Sequence, residues 1–99
     1  MSDGSVADPV LEDRDDEAGG PAAATRVLLY LVRSVVDDPE AVRVELDDRG
    51  RRPALNVTVG DGDMGRVIGK RGRVAQSIRT VTRAAAARDG VEIDIEFLD

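Results

Sequence analysis

The chain has 99 residues, a formal net charge of -6 and 41% hydrophobic residues, among which Tyr30 and Phe97 are the two aromatic ones. A chain of this length forms one small domain, and its core must be built from aliphatic side chains. Because the sequence has no cysteine and no histidine, it excludes disulfides, zinc sites of the Cys/His kind and imidazole acid–base chemistry, and we expect neither an enzyme nor a metal or other cofactor.

The charge is unevenly distributed along the chain. Residues 1–24 contain seven acidic residues and one basic residue, Arg14, whereas residues 25–99 contain 13 of each sign. The first segment also lacks apolar periodicity, so it cannot bury enough surface to offset the entropy of ordering. We predict a disordered acidic tail over residues 1–24, which either favours solubility or competes for basic residues elsewhere, and a folded domain over residues 25–99.

The sequence gives no sign of a membrane location. Its N-terminal residues do not combine a basic segment with a following apolar stretch, and no apolar run approaches the roughly 18 residues of a membrane span. We therefore expect a cytoplasmic protein without a membrane partner.

An apolar pattern of helical period follows the acidic segment. It predicts a helix with Thr25 as its N-cap that ends before Pro39, because the residue preceding a proline avoids helical geometry. The apolar stripe of this helix comprises Val27, Leu28, Leu31 and Val35. Additional apolar residues at Leu29, Val32 and Val36 widen it, so the helix either covers the core alone or also offers a dimer contact.

The rest of the chain alternates between strand and helix patterns. Residues 42–47 and 53–59 alternate apolar and polar side chains around a tight turn, which predicts an antiparallel hairpin. A short helix over residues 64–68 precedes a longer helix that Gly90 ends, and residues 91–97 form a last strand. The resulting order αββααβ predicts an α+β fold in which three helices cover one face of a three-stranded sheet.

Side-chain directions follow from the same patterns. The longer helix is expected to bury one apolar face and to expose arginines to solvent on the other. The predicted apolar positions are Val74, Ile78, Val81 and Ala85, and the predicted solvated arginines are Arg79, Arg83 and Arg88. The open face of the sheet is expected to be acidic through Glu45, Asp47, Glu92, Asp94 and Glu96.

Two phosphate-binding motifs are present only in part. Residues 60–65 spell G-x-G-x-x-G, but Asp61 and Asp63 would place carboxylates beside a pyrophosphate and the preceding strand belongs to a hairpin. Residues 65–70 fail the P-loop pattern, because three residues instead of four separate the glycines and Arg71 replaces the magnesium-binding hydroxyl. Neither a dinucleotide-binding nor a nucleotide-hydrolysing protein is predicted.

The strongest local signal is Gly69-Lys70-Arg71-Gly72, which joins the last two helices. It lies in a strip, residues 64–88, that has seven basic and no acidic residues. Glycines allow a sharp reversal and a close approach to backbone N–H groups, and the N-terminus of the following helix attracts anions. Lys70 and Arg71 must point outward from so tight a turn. The pattern therefore indicates a contact with a sugar-phosphate backbone.

These residues resemble the GxxG signature of KH domains. The stretch VIGKRGR, preceded by DMGR and followed by an alanine-rich helix with arginines, is similar to the KhpA-type group of small bacterial single-KH RNA-binding proteins. The element order is that of the type II, prokaryotic KH domain, and the resemblance covers about residues 25–98. It implies a GxxG loop between the last two helices that clamps single-stranded RNA.

The resemblance also implies roles for individual residues. Four of them, Gly69, Lys70, Arg71 and Gly72, would clamp the RNA backbone. Arg66 and Arg73 would extend the basic surface, and Val67 and Ile68 would help to form an apolar floor for bases, unless both are simply core residues. The second strand, over residues 55–59, would border the groove from the other side.

The family further implies partners and a role. KhpA-type proteins are associated with homodimers, with heterodimers containing a larger multidomain KH protein of the KhpB or Jag type, and with post-transcriptional regulation or RNA chaperoning linked to cell envelope growth and division. An alternative remains open: a protein-interaction adaptor that keeps the KH fold, binds its partner through the first helix and has a vestigial RNA groove.

Overall fold

The computed structural model describes residues 21–98, and nearly all of the predicted acidic tail lies outside this range. Three helices and three strands follow in the order αββααβ. The helices are α1 (Ala22–Val35), α2 (Met64–Ile68) and α3 (Arg73–Arg88), and the strands are β1 (Arg43–Asp47), β2 (Ala54–Thr58) and β3 (Asp94–Phe97). Single 3-10 turns lie at Pro39–Ala41 and Lys70–Gly72.

Helix α1 begins four residues earlier than expected. Pro21 is its N-cap, so residues 22–24 belong to the folded domain, and Ala24 is fully buried. Thr25 is therefore not a cap: its hydroxyl lies in the first turn and donates to the carbonyl of Pro21 at 2.9 Å. Leu28 and Val32 continue the buried stripe at intervals of four residues, as an amphipathic helix requires.

The end of α1 is set by a distant carboxylate. The helix stops at Val35, four residues before Pro39. Beyond it, the backbone N–H groups of Asp37 and Asp38 donate to the two carboxylate oxygens of Asp63 at 3.2 and 3.1 Å. Asp63 is only 3% exposed and directly precedes α2. Its carboxylate thus connects the end of α1 to the start of α2.

The sheet has the strand order β1-β2-β3, with β2 in the centre. Strands β1 and β2 form the predicted antiparallel hairpin, and β3 pairs with β2 in parallel. The register places Val44, Val57 and Phe97 in one row on the face that the helices cover. In the hairpin turn, hydrogen bonds from Arg49 lower the pKa of Asp47 to about 2.

The opposite face of the sheet is polar, as expected. In its central row, Glu45 pairs with Asn56 and Asn56 pairs with Glu96. Glu92, which was expected on this face, precedes β3 and forms an ion pair with Arg52 at 3.2 Å. The open face of the sheet therefore carries carboxylates that disfavour an anionic ligand.

Helix α3 buries a different set of residues from the predicted one. Its buried positions are Ala75, Ile78, Thr82 and Ala86, while Val81 is 48% exposed. The buried face is rotated toward small side chains, which let the helix lie close to its neighbours. Gly90 ends α3 as predicted: Val91 N–H donates to the carbonyl of Ala86 and Gly90 N–H to that of Ala87, a Schellman motif.

Asp63→Ala tests the connection between α1 and α2. The substitution leaves two part-buried N–H groups without their acceptor, and we expect the free energy of unfolding to fall by about 1–3 kcal/mol. Urea denaturation measures the change. Asp61→Ala, an exposed aspartate in the same loop, is the matched control and should cost less than about 0.5 kcal/mol. Equal effects of the two substitutions would contradict a structural role for Asp63.

Candidate nucleic-acid interface

The 69–72 turn has a backbone that most residues avoid. Gly69 has φ 74° and ψ -179°, a combination that is essentially restricted to glycine. Arg71 follows in the left-handed region with φ 58°, and Gly72 with φ 74°. These three residues reverse the chain between α2 and α3, and the Gly72 N–H donates to the Gly69 carbonyl at 3.2 Å.

Gly69 is required for space as well as for conformation. A Cβ atom at this position would lie 2.7 Å from the Cβ of Val74 and would also overlap its Cγ2. Val74 lies in the first turn of α3, so the turn is packed directly against the helix that it precedes. A side chain at Gly72, in contrast, would meet no atom within 4 Å.

Backbone donors are available at the turn. The Lys70–Gly72 segment forms a single 3-10 turn, in which Gly72 N–H bonds to Gly69 and Arg73 N–H bonds to Lys70. The N–H groups of Lys70 and Arg71 precede these bonds and have no carbonyl partner within the turn. No acidic residue occupies the first turn of α3, so the positive end of its dipole is not neutralised locally.

The predicted basic residues divide into two groups. Lys70, Arg71 and Arg73 are exposed, and within residues 21–98 their side chains form no ion pair or hydrogen bond. Arg66 is different, because its guanidinium lies 3.0 Å from Asp37 and 3.7 Å from Asp63. Two carboxylates thus offset the charge of Arg66, which leaves the turn and Arg73 as the basic surface.

The two apolar residues before the turn are also not equivalent. Val67 is completely buried and belongs to the hydrophobic core, so it supports the turn from below and offers no surface to a ligand. Ile68 is half-buried, and part of its side chain is accessible beside the turn. Of the expected apolar floor, only Ile68 has accessible surface.

Strand β3, and not β2, presents a free edge beside α3. Leu55 and Val57 of the central strand are fully buried, and β2 is hydrogen-bonded to a strand on each side. No described strand pairs with the outer edge of β3, where the carbonyl of Ile95 points away from β2 and accepts a hydrogen bond from Arg79 of α3 at 3.3 Å. Leu55 and Val57 thus offer no surface to a ligand, and the border that residues 55–59 would give to the groove stays a prediction.

Arg79 is not the solvated side chain that the helical pattern predicted. It is half-buried, and its guanidinium lies over the ring of Phe97, 5.0 Å from the ring centroid. The pair joins α3 to the last strand. The sequence carried no signal for it, because the position of β3 relative to α3 is not readable from periodicity. Arg83 and Arg88 are exposed, as expected.

A second, apolar groove lies on the other side of α3, against α1. It has a volume of about 350 Å³, and its apolar lining includes Leu31, Val35, Val74 and Val81. Helices α1 and α3 thus leave an apolar surface that no other part of residues 21–98 covers.

Within residues 21–98, no group of three or more acidic, histidine or cysteine side chains is arranged to hold a metal ion. No helix in the described part of the chain has the length and apolar character needed to cross a bilayer.

The fold and the turn together define a class of protein. A GxxG turn between two helices, in a domain of order αββααβ with a three-stranded sheet, is a KH domain of type II. The family model described as KhpA/KhpB, KH domain, matches residues 25–97. The chain therefore belongs to the KhpA/KhpB KH-domain family, which confirms the predicted fold and resemblance.

Individual relatives agree with this assignment. The chain is 36% identical over 72 residues to the RNA-binding protein KhpA of Chlamydia trachomatis, a match that covers 73% of this chain and 92% of the relative. It is 34% identical over 73 residues to the RNA-binding protein KhpA of Bacillus subtilis, covering 74% and 90%. The corresponding protein of Clostridium acetobutylicum is 37% identical over 73 residues, covering 74% and 97%.

Gly69→Ala tests the packing of the turn. The new methyl group would collide with Val74 in a backbone conformation that alanine does not adopt, and we expect the free energy of unfolding to fall by about 3 kcal/mol. Gly72→Ala, with a positive φ but open space, should cost about 1 kcal/mol. Chemical denaturation of both variants measures the difference. If Gly72→Ala proved the more destabilising, the contact with Val74 would not position the turn.

Proposed function

We propose that this protein binds single-stranded RNA, with the 69–72 turn clamping the sugar-phosphate backbone. The observation that carries the proposal is the group of three exposed cations, Lys70, Arg71 and Arg73, which have no carboxylate partner in the described part of the chain and surround the N-terminus of α3. Full charges, unused N–H groups and a helix dipole all favour phosphate at the same place.

The RNA chain continues from the turn into the groove between α3 and β3. A groove of this kind holds about four nucleotides. Ile68 provides accessible apolar surface at the turn, and the free edge of β3 provides outward-pointing backbone groups. The carboxylates of Glu45 and Glu96 on the open face of the sheet repel phosphate, so the strand follows the edge of the sheet and not its face.

RNA binding of this kind requires no chemical reaction of the bound RNA. The relatives are named RNA-binding proteins, and we propose that this chain is likewise not an enzyme and acts in the cytoplasm. By extension of the family resemblance, its wider role is that of an RNA chaperone or post-transcriptional regulator. This role is connected to cell envelope growth and division.

Association with a second KH domain accompanies RNA binding in this proposal. One groove of about four nucleotides binds weakly, and a second copy raises the effective concentration of binding sites. The apolar groove between α1 and α3 offers the contact, because Val81 is 48% exposed there. The partner is a second copy of this chain or a larger multidomain KH protein of the KhpB or Jag type.

The same apolar groove is what favours the adaptor alternative. An adaptor would use α1 and α3 for protein contacts and would have no need for unpaired cations at the turn. Lys70 and Arg71 stabilise nothing visible within residues 21–98, so their charges favour RNA binding over a vestigial groove.

Reversal of the two charges in the turn tests RNA binding. For Lys70→Asp/Arg71→Asp we expect the affinity for a pool of single-stranded RNA to fall by about 100-fold, because two phosphate contacts become repulsive. Fluorescence anisotropy measures it. Arg33→Asp/Arg51→Asp changes the net charge equally at exposed positions outside the turn and is the matched control.

The salt dependence of RNA binding tests the same two phosphate contacts independently. Lys70→Ala/Arg71→Ala should make the slope of log affinity against log salt shallower by about 1.4, at about 0.7 per phosphate contact on a single strand. An unchanged affinity in the folded charge-reversal variant would leave the adaptor as the better function, and cross-linking in cells would then recover protein without RNA.

Val81→Glu tests the dimer. A carboxylate in the apolar groove cannot be desolvated without a partner, so we expect a monomer by light scattering where the wild type is a dimer, and weaker binding to long RNA through lost avidity. Thr80→Glu places the same charge at the neighbouring exposed position and should leave the dimer intact. A monomeric wild type, or a dimer that survives Val81→Glu, would rule out this contact.

A further inference from the structure

The pair formed by Arg79 and Phe97 joins α3 to β3 beyond the basic turn. Arg79 is six residues after Arg73 on α3, which places it about 9 Å farther along the helix axis than the basic turn. It reaches from α3 to the free edge of β3 through its 3.3 Å hydrogen bond to Ile95. The pair thus lies between helix and strand, on the path proposed above for the RNA.

Most of the donors of Arg79 are unused. A guanidinium has five N–H donors in a planar fork. Only Nε of Arg79 has a hydrogen-bond partner within residues 21–98, the carbonyl of Ile95. The N–H groups on Nη1 and Nη2 therefore remain available to a ligand, as two parallel donors on the side of the guanidinium that faces away from Nε.

The orientation of this fork is fixed before any ligand arrives. The ring of Phe97 lies against the guanidinium at 5.0 Å, and the Ile95 carbonyl holds Nε. Cation–π contact and half-burial restrict the rotamers of a side chain that is otherwise mobile. A donor pair held in this way loses less entropy on binding than an arginine free in solvent.

The surroundings favour a base over a phosphate at this position. The half-buried ring of Phe97 lies beside the guanidinium and offers an apolar contact that suits an uncharged base and not a phosphate. Glu96 is on the opposite, open face of the sheet and does not face this position. The backbone-clamping cations Lys70, Arg71 and Arg73 all lie nearer the start of α3.

We infer that Arg79, held by Phe97 and Ile95, reads one base of the bound RNA and selects a base with two adjacent hydrogen-bond acceptors. The inference rests on the proposed RNA binding. Two bases have this chemistry: cytosine, through O2 and N3, and guanine, through O6 and N7. Adenine has its amino donor next to an acceptor, and uracil has its N–H donor between two acceptors. Neither base therefore accepts hydrogen bonds from both Nη groups of the fork.

Base preference measured by fluorescence anisotropy tests the inference. The probes are oligonucleotides of cytidine, adenosine or uridine alone, and one that alternates guanosine and uridine, so that the arms separate cytosine from guanine. We expect the wild type to bind the cytidine or the guanosine probe about tenfold more tightly than the adenosine and uridine probes. Arg79→Lys keeps the charge but loses the fork, and should reduce this ratio to about one with little change in binding to adenosine and uridine.

Two further variants separate base reading from other roles. Phe97→Leu keeps an apolar side chain in the strand but removes the ring, and should also lower the ratio. Arg83→Lys, one turn farther along α3, should leave the ratio unchanged. Thermal unfolding confirms that each variant is folded before binding is measured.

These measurements distinguish a failure of base reading from a failure of RNA binding itself. A wild type that binds RNA without base preference, or an Arg79→Lys variant that weakens all four probes equally, would overturn base reading and leave RNA binding standing. A wild type that binds none of the probes would overturn both. Loss of affinity for all probes in Lys70→Asp/Arg71→Asp, with binding intact in the wild type, would support the clamp and is independent of Arg79.

Discussion

The site depends on the contact between the backbone of Gly69 and the side chain of Val74. Because no Cβ atom fits between them, the chain enters α3 in one way only, and the backbone of Lys70 and Arg71 is directed outward. The buried Val67 fixes the turn from the side of α2. A rigid turn matters electrostatically, since unpaired donors and cations bind phosphate best when they need no rearrangement. The packing of one valine thus supports the charge pattern of the surface.

Positive and negative side chains lie on different surfaces of the domain. The turn presents Lys70 and Arg71 without carboxylate partners among the described residues, while the open sheet face presents Glu45 and Glu96. Arg66 lies between these extremes, because Asp37 and Asp63 hold it. An overall charge of -6 therefore says little about the ligand. The local field at the N-terminus of α3 decides which molecules approach.

Local patterns in the sequence predicted the element order, the hairpin, the turn and the helix end at Gly90, since each depends on neighbouring residues. What they could not predict depends on tertiary contacts. The end of α1 at Val35 follows from the binding of the next free backbone N–H groups, those of Asp37 and Asp38, to Asp63, which is 26 and 25 residues away. The exposure of Val81 follows from the position of α1, and the role of Arg79 from the parallel pairing of β3 with β2. Periodicity records which residues share a face, but not which neighbour covers that face.

The parallel pairing of β3 also has a consequence for how molecules of this protein behave at high concentration. A strand at the edge of a sheet is a template on which strands of other molecules add, and such addition leads to aggregation. Here the outward carbonyl of Ile95 is already occupied by Arg79, and the strand is four residues long with the exposed Glu96 within it. The arginine thus occupies one acceptor of this edge, which makes the addition of another strand there less favourable.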